Sequence, residues 1–249
     1  MKSFSNFFKG LRYPVKGILF IFSNPDISRI IMIQFLLNTI TFIIVLSSTF
    51  YILIRWLNTL ISYGQIWYEH IFYYLAITFG IGVVILLTVI LSGVLGGIIS
   101  GGLNSKLSEK TEEIYRKKQA VQLIGFFEGI LRDIGYELKN ISIIILAFLA
   151  LTLLNLIPVI GFIIFALCSF IYSLYAISFK YWDYPMEARK YSFKKKLKSV
   201  WSSGTLFLGF GLTSFLLFMI PIVNFLVPPI CIIGGTLLFL DELESNQKS

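Results

Sequence analysis

Apolar residues along this chain gather into four long runs that contain no charged side chain, at residues 30–54, 71–104, 141–179 and 199–240. A bilayer core of about 30 Å needs roughly 20 apolar residues in a helix. The first run, about 25 residues long, fits one crossing helix. The second, of about 34, must tilt strongly or continue beyond the membrane. The third and fourth are too long for one crossing and each is interrupted near its middle. Leu156-Ile157-Pro158-Val159-Ile160-Gly161-Phe162 breaks the third, and Met219-Ile220-Pro221-Ile222-Val223-Asn224-Phe225 breaks the fourth. Proline removes a backbone donor, and Gly or Asn supplies the residue that a tight turn prefers. The two tips, Pro158 with Gly161 and Pro221 with Asn224, therefore read as an internal repeat of a helical hairpin. Each arm reaches only about 25 Å at 1.5 Å per residue. A hairpin of that reach either crosses a thinned bilayer or enters partway and turns back, and the pattern leaves both readings open.

Between the runs the pattern becomes amphipathic. Phe4, Phe7, Phe8 and Leu11 recur at helical spacing among Lys2, Lys9, Arg12 and Lys16, which predicts a helix in the headgroup plane, limited or kinked at Pro14. The apolar stretch from Ile18 to Phe22 is too short for a cleavable leader. Leu103, Leu107 and Ile114 carry the second run onward, with Glu112–Arg116 and Glu113–Lys117 at i,i+4. Ile124, Phe127, Leu131, Ile134 and Leu138 mark a second amphipathic stripe. Phe193, Leu197, Val200 and Trp201, interleaved with lysines, mark a third, and Tyr181, Trp182 and Tyr184 suit an aromatic belt.

The expected fold is thus an all-α membrane protein forming one integral domain over residues 1–249. It comprises an interfacial N-terminal helix at 1–23, two long transmembrane helices at 26–57 and 67–118, and two proline-tipped hairpins at 138–181 and 199–241, with interfacial amphipathic helices between. Composition agrees: 57% of residues are hydrophobic and 14% charged, against about 25% charged in soluble domains. The net charge of +8 is placed beside the apolar runs, where anionic headgroups meet it, so the lipid bilayer rather than nucleic acid is the expected partner. If the first two runs cross fully and each hairpin returns to its own side, 20 of the 21 Lys and Arg residues share one side, leaving only Arg55 opposite. The positive-inside rule makes that side, with both termini, cytoplasmic.

Little chemistry is visible. The runs hold no Asp, Glu, Lys, Arg or His, and no metal-ligand or nucleophile–base spacing occurs, so we expect no enzyme, no cofactor and no metal. Cys168 and Cys231 suit core packing, and His70 a membrane edge. Gln34, Asn38, Thr41, Asn155 and Asn224 are expected to join helices by hydrogen bonds, and Gly93, Gly96, Gly97, Gly101 and Gly102 to pack helices closely or form a joint. One place has anion-binding character. Asn24-Pro25-Asp26-Ile27-Ser28-Arg29 reads as an N-cap, proline at N1 and the first turn of the first crossing helix, where backbone donors, the dipole and a guanidinium converge. The alternative is that Asp26 satisfies that dipole and Arg29 anchors the helix to headgroups.

The tract Tyr181-Trp182-Asp183-Tyr184-Pro185, then Phe193, Phe210-Gly211, Met219-Ile220-Pro221 with Asn224, and Gly234-Gly235-Thr236, resembles the bacterial CysZ sulfate permeases. It is also similar to their eukaryotic relatives, the etoposide-induced endoplasmic-reticulum proteins linked to autophagy. The Leu156 to Gly161 tip, Leu103-Asn104 with Leu107-Ser108-Glu109, and the Gly17 to Pro25 opening extend the resemblance over nearly the whole chain. It implies a homo-oligomeric permease of the bacterial inner membrane admitting sulfate. The implied anion site is Ile27, Ser28 and Arg29, of which only Arg29 keeps the family's residue; Asp26 stands where the family has glycine, and Ser28 where it has arginine. A carboxylate beside a dianion is repulsive, so the resemblance supports fold more firmly than sulfate. A second expectation is therefore a non-transporting membrane protein that organises the bilayer or partner proteins.

Overall fold

Helix is the only regular structure that lets isolated apolar segments satisfy their own backbone in lipid, and among the described residues of the computed structural model there is no strand. The structure describes residues 2–60, 67–118, 160–220 and 225–243, with isolated positions between 142 and 153. Their helices are Lys2–Ser23 (α1), Pro25–Leu60 (α2), Trp67–Arg116 (α3), Ile160–Ala188 (α4), Phe193–Ser202 (α5), Gly204–Phe218 (α6) and Val227–Leu238 (α7), which ends in a π turn at Phe239–Leu243. The chain forms two compact units, Ile33–Ser100 and the remainder, Met1–Met32 with Gly101–Ser249.

The unit of residues 33–100 pairs the apolar parts of α2 and α3. Asn38 accepts from Ser100 Oγ at 2.9 Å, the Thr49 and Thr88 hydroxyls meet at 2.9 Å, and Leu53 packs on Gly80. Partner numbers fall along one helix as they rise along the other, so the two run antiparallel. Gly96 belongs to this seam, because a Cβ there would stand 3.1 Å from Asn38 Oδ1, whereas one at Gly93 or Gly97 would meet nothing within 4 Å. Polar side chains off the seam are satisfied within their own helix: Thr39, Ser48 and Thr78 each donate to the carbonyl four residues back. The remaining surface is apolar and exposed, including Phe72, Leu75, Phe79 and Leu86. That surface is what hydrocarbon, rather than water, would solvate.

The other unit builds its core where α1, α4, α6 and α7 approach backbone to backbone. Gly209 faces the Phe7 carbonyl, Gly10 the Leu206 carbonyl and Gly234 the Tyr13 carbonyl, so no Cβ could stand at any of the three without displacing a helix. Proline contributes at a fourth contact. Pro185 lies inside α4 and deprives the Tyr181 carbonyl of its partner four residues on. That carbonyl points at Gly235, 2.8 Å from where a Cβ would be. Trp182, Phe207, Phe210, Ile232, Ile233 and Phe239 fill the centre, and Trp182 packs against Phe207 with ring centroids 3.6 Å apart and planes tilted by 51°.

Among the described residues, three helices, at Pro25–Trp56, His70–Arg116 and Gly161–Ala188, are long and apolar enough to cross a membrane, or four if the bent pair of α5 and α6 is one span. At 50 residues, α3 is about 75 Å long, more than a bilayer core of about 30 Å needs, and its residues from Gly101 onward belong to the other unit. By contrast α6, at 15 residues, spans only about 22 Å. It meets α5 at a bend of 89°.

Several expectations change. The helix α1 continues through Pro14 from Lys2 to Ser23 rather than ending there. Tyr181 and Trp182 form no belt: α4 runs past the expected hairpin end at 181 to Ala188, and both rings are buried in the core. Glu113 pairs with Lys110 at 3.0 Å, while α3 stops at Arg116 and Lys117 turns to φ 53°. Cys231 is buried and donates to Ser214 Oγ, a packing role. Pro158, Pro221, Asn224 and Asn155, and the stripe from Ile124 to Leu138, lie outside the described residues, whereas Gly161 is buried in the first turn of α4.

Candidate functional site

The suspected anion site is the corner where α1 hands over to α2, with Asn24 as its single linking residue. Asn24 closes both helix ends. Its side-chain amide donates to the Phe20 carbonyl at 2.8 Å, while its own carbonyl accepts from Ile27 N at 3.1 Å and Ser28 N at 3.2 Å. Ser28 Oγ donates to the Ile21 carbonyl at 3.0 Å. Pro25 has no N–H, so the first turn of α2 retains only the Asp26 amide as a free backbone donor. Ile27 is fully buried in the core and fixes the corner sterically. Arg29 is exposed and carries no ion pair among the described residues, and Asp26 is exposed one turn before it. Of the three residues expected to hold an anion, then, Ile27 and Ser28 have committed their donors, and the guanidinium of Arg29 is the group with capacity to spare. Asp26 complements the helix dipole, which weakens the pull on an approaching anion.

A second polar constellation lies within the same unit, and nothing in the sequence marked its residues as pairing with one another across helices, the Glu112–Arg116 turn excepted. Glu112, nearly buried on α3, accepts from Arg189 Nη2 at 2.7 Å and Nη1 at 3.2 Å, and from Arg116 Nε at 3.3 Å. Arg189 also donates to the Pro185 carbonyl at 3.0 Å and lies over the Phe239 ring at 4.7 Å. Lys196 is only 2% exposed; its ammonium sits 2.7 Å from Asp183 Oδ1 and also bonds Glu187. Asp241 accepts from Tyr13 Oη at 3.0 Å and Tyr115 Oη at 2.5 Å, with Lys16 at 3.5 Å, while Glu242 pairs with Lys9 at 3.2 Å. Burial, then the Asp241 carboxylate, pushes the Tyr13 hydroxyl above the ordinary tyrosine range, so it stays a donor. Earlier on α3, Asn104 donates to Tyr184 Oη at 3.1 Å, and the Ser108 and Thr236 hydroxyls are hydrogen-bonded at 2.8 Å.

These pairs tie α1, α3, α4, α5 and the C-terminal turn into one ionic layer. Chemically the layer can hold helices in register and neutralise charge; each carboxylate is already engaged by a cation or a phenol. Among the described residues no cluster of three His, Cys, Asp or Glu side chains could hold a metal ion. The i,i+4 pair of Glu112 and Arg116 was visible in the sequence, but Arg189, 77 positions away, was not. Only the single inward-facing turn of α5 distinguishes Lys196 from the lysines around it.

The family model described as "EI24: Sulfate transporter CysZ/Etoposide-induced protein 2.4" matches residues 13–229. Among curated proteins, the sulfate transporter CysZ of Vibrio cholerae serotype O1 is 26% identical over 117 residues, covering 47% of each chain. The sulfate transporter CysZ of Salmonella typhimurium is 25% identical over 119 residues, 48% of this chain and 47% of that one. The aligned region spans about half the length of these curated relatives.

Proposed function

Since this chain belongs to the family of sulfate transporter CysZ and etoposide-induced protein 2.4, we propose that it is a membrane permease admitting sulfate or a similar small tetrahedral oxyanion. The observation that carries the reading is the family match over residues 13–229, laid on helices long and apolar enough to cross a bilayer. Relatives named as sulfate transporters supply the substrate class. Arg29 supplies a forked donor suited to a tetrahedral oxyanion, exposed one turn after the remaining free amide, that of Asp26. The protein resides in the bacterial inner membrane as a homo-oligomer, with both termini and 20 of 21 basic residues cytoplasmic. The shortness of α6 supports a second hairpin that enters the bilayer partway. No nucleotide-binding motif occurs in the sequence, so flux follows the solute gradient or a coupled partner.

Rescue of a strain lacking sulfate uptake, grown on limiting sulfate, tests this directly. The wild-type chain restores growth, and Arg29→Ala lowers it at equal expression. A variant as active as the parent removes the corner from the mechanism, and failure of both at normal membrane levels removes the sulfate reading. One observation favours a non-transporting role, in which the protein organises the bilayer or partner proteins. The corner has one guanidinium, a committed Ser28 hydroxyl and an exposed carboxylate at Asp26. Stable copurification of a partner, without any solute dependence of growth, would mark that alternative.

A further inference from the structure

The helix α5 presents three different faces. At about 100° per residue, Lys196, Ser199 and Val200 share one sector, and these are its buried residues. Phe193, Leu197 and Trp201 lie one turn apart on a second sector, and they are 39%, 42% and 79% exposed. Lys194, Lys195 and Lys198 occupy the third, also exposed. The inward face is locked: Lys196 bonds Asp183 and Glu187 of α4, and the Ser192 hydroxyl caps the helix by accepting from Lys195 N at 3.4 Å. Its orientation is therefore fixed, and the apolar stripe is displayed outward instead of turned into the core. The helix contains no acidic residue. It departs from α6 at 89°, so if α6 stands upright in the bilayer, α5 lies flat along its surface.

We propose that α5 is a surface helix that reads anionic phospholipid headgroups. Phe193, Leu197 and Trp201 enter the acyl boundary, and Lys194, Lys195 and Lys198 meet the lipid phosphates. An apolar stripe alone would seat in any bilayer. The three lysines confer the preference, at about fivefold per cation near an anionic surface. Because Lys196 ties the opposite face to α4, headgroup binding loads the same helix that carries Trp182 and ends one residue before Arg189. This reading depends on membrane residence but not on the transported solute.

The test uses the full chain with Cys168→Ser and a spin label at Leu197→Cys, reconstituted in nanodiscs of phosphatidylcholine with increasing phosphatidylglycerol. Label depth is read from collision with oxygen against a water-soluble nickel chelate, and a label at Tyr51→Cys on exposed α2 serves as acyl-chain reference. As phosphatidylglycerol rises, the 197 label should become oxygen-accessible and nickel-shielded. Combining Lys194→Gln, Lys195→Gln and Lys198→Gln should weaken seating of α5 by about a hundredfold, leaving the 197 label aqueous at phosphatidylglycerol fractions that bury it in the parent. A label equally aqueous in every lipid overturns the proposal. A label already in the acyl region without phosphatidylglycerol, and unmoved by the glutamines, overturns the anionic preference. A label shielded from both reagents means that protein covers the stripe, which also overturns it.

Discussion

Replacing Arg189 with methionine keeps most of the side-chain volume but removes the guanidinium that holds Glu112. The structure sets the size of the effect. Arg189 makes two charge-assisted bonds to Glu112, at 2.7 and 3.2 Å, and the two side chains are 11% and 5% exposed. Breaking a buried pair from one side leaves an uncompensated charge and costs about 3–5 kcal/mol. Here Arg116 still reaches Glu112 at 3.3 Å, so we expect the low end, about 3 kcal/mol, together with loss of the bond to the Pro185 carbonyl. The matching apolar double variant, Glu112→Leu with Arg189→Met, removes both charges and should recover most of that loss, because desolvation of the pair offsets much of its attraction. The assay is reversible unfolding in mixed micelles, monitored by tryptophan fluorescence, for wild type, both singles and the double. A double-variant cycle giving coupling below about 1 kcal/mol, as exposed pairs do, would refute the reasoning. So would a double variant no more stable than the worse single.

Three further substitutions test other contacts. Gly209→Ala pushes a methyl group into the Phe7 carbonyl and should destabilise by about 1–3 kcal/mol, whereas Gly93→Ala, with nothing within 4 Å, should leave stability within about 0.5 kcal/mol or raise it; thermal unfolding in one detergent compares them. Tyr13 has its folded-state pKa raised, so its contribution is complete below the unfolded value of about 10 and is lost as pH climbs beyond it. Tyr13→Phe should accordingly show a shallower loss of stability above about pH 10 than the parent; identical alkaline slopes would contradict the assignment.

How much of this was legible depends on distance along the chain. The apolar runs announced α2, α3 and α4 because lipid solvation imposes a length and a lack of charge that any reader of the sequence can see. The phenylalanine spacing announced α1. What periodicity could not show is which neighbour a face meets. Tyr181 and Trp182 have the composition of an interface belt, yet α4 continues through Pro185, since the carbonyl it frees is accommodated at Gly235. Within the lysine run from Lys194 to Lys198, Lys196 turns inward only because Asp183 and Glu187 wait one helix earlier. The α1–α2 corner was recognised as a helix start, but the backbone carbonyls that engage Asn24 and Ser28 belong to α1 and became visible only when both helices were placed. Long-range pairing of this kind leaves no local mark.

Uptake of radiolabelled sulfate into sealed proteoliposomes tests the central claim most directly. The account predicts flux above protein-free vesicles that follows the sulfate gradient, is reduced by competing tetrahedral oxyanions, and falls with Arg29→Ala. Uptake no faster than in protein-free vesicles, from correctly inserted and monodisperse protein, would contradict it.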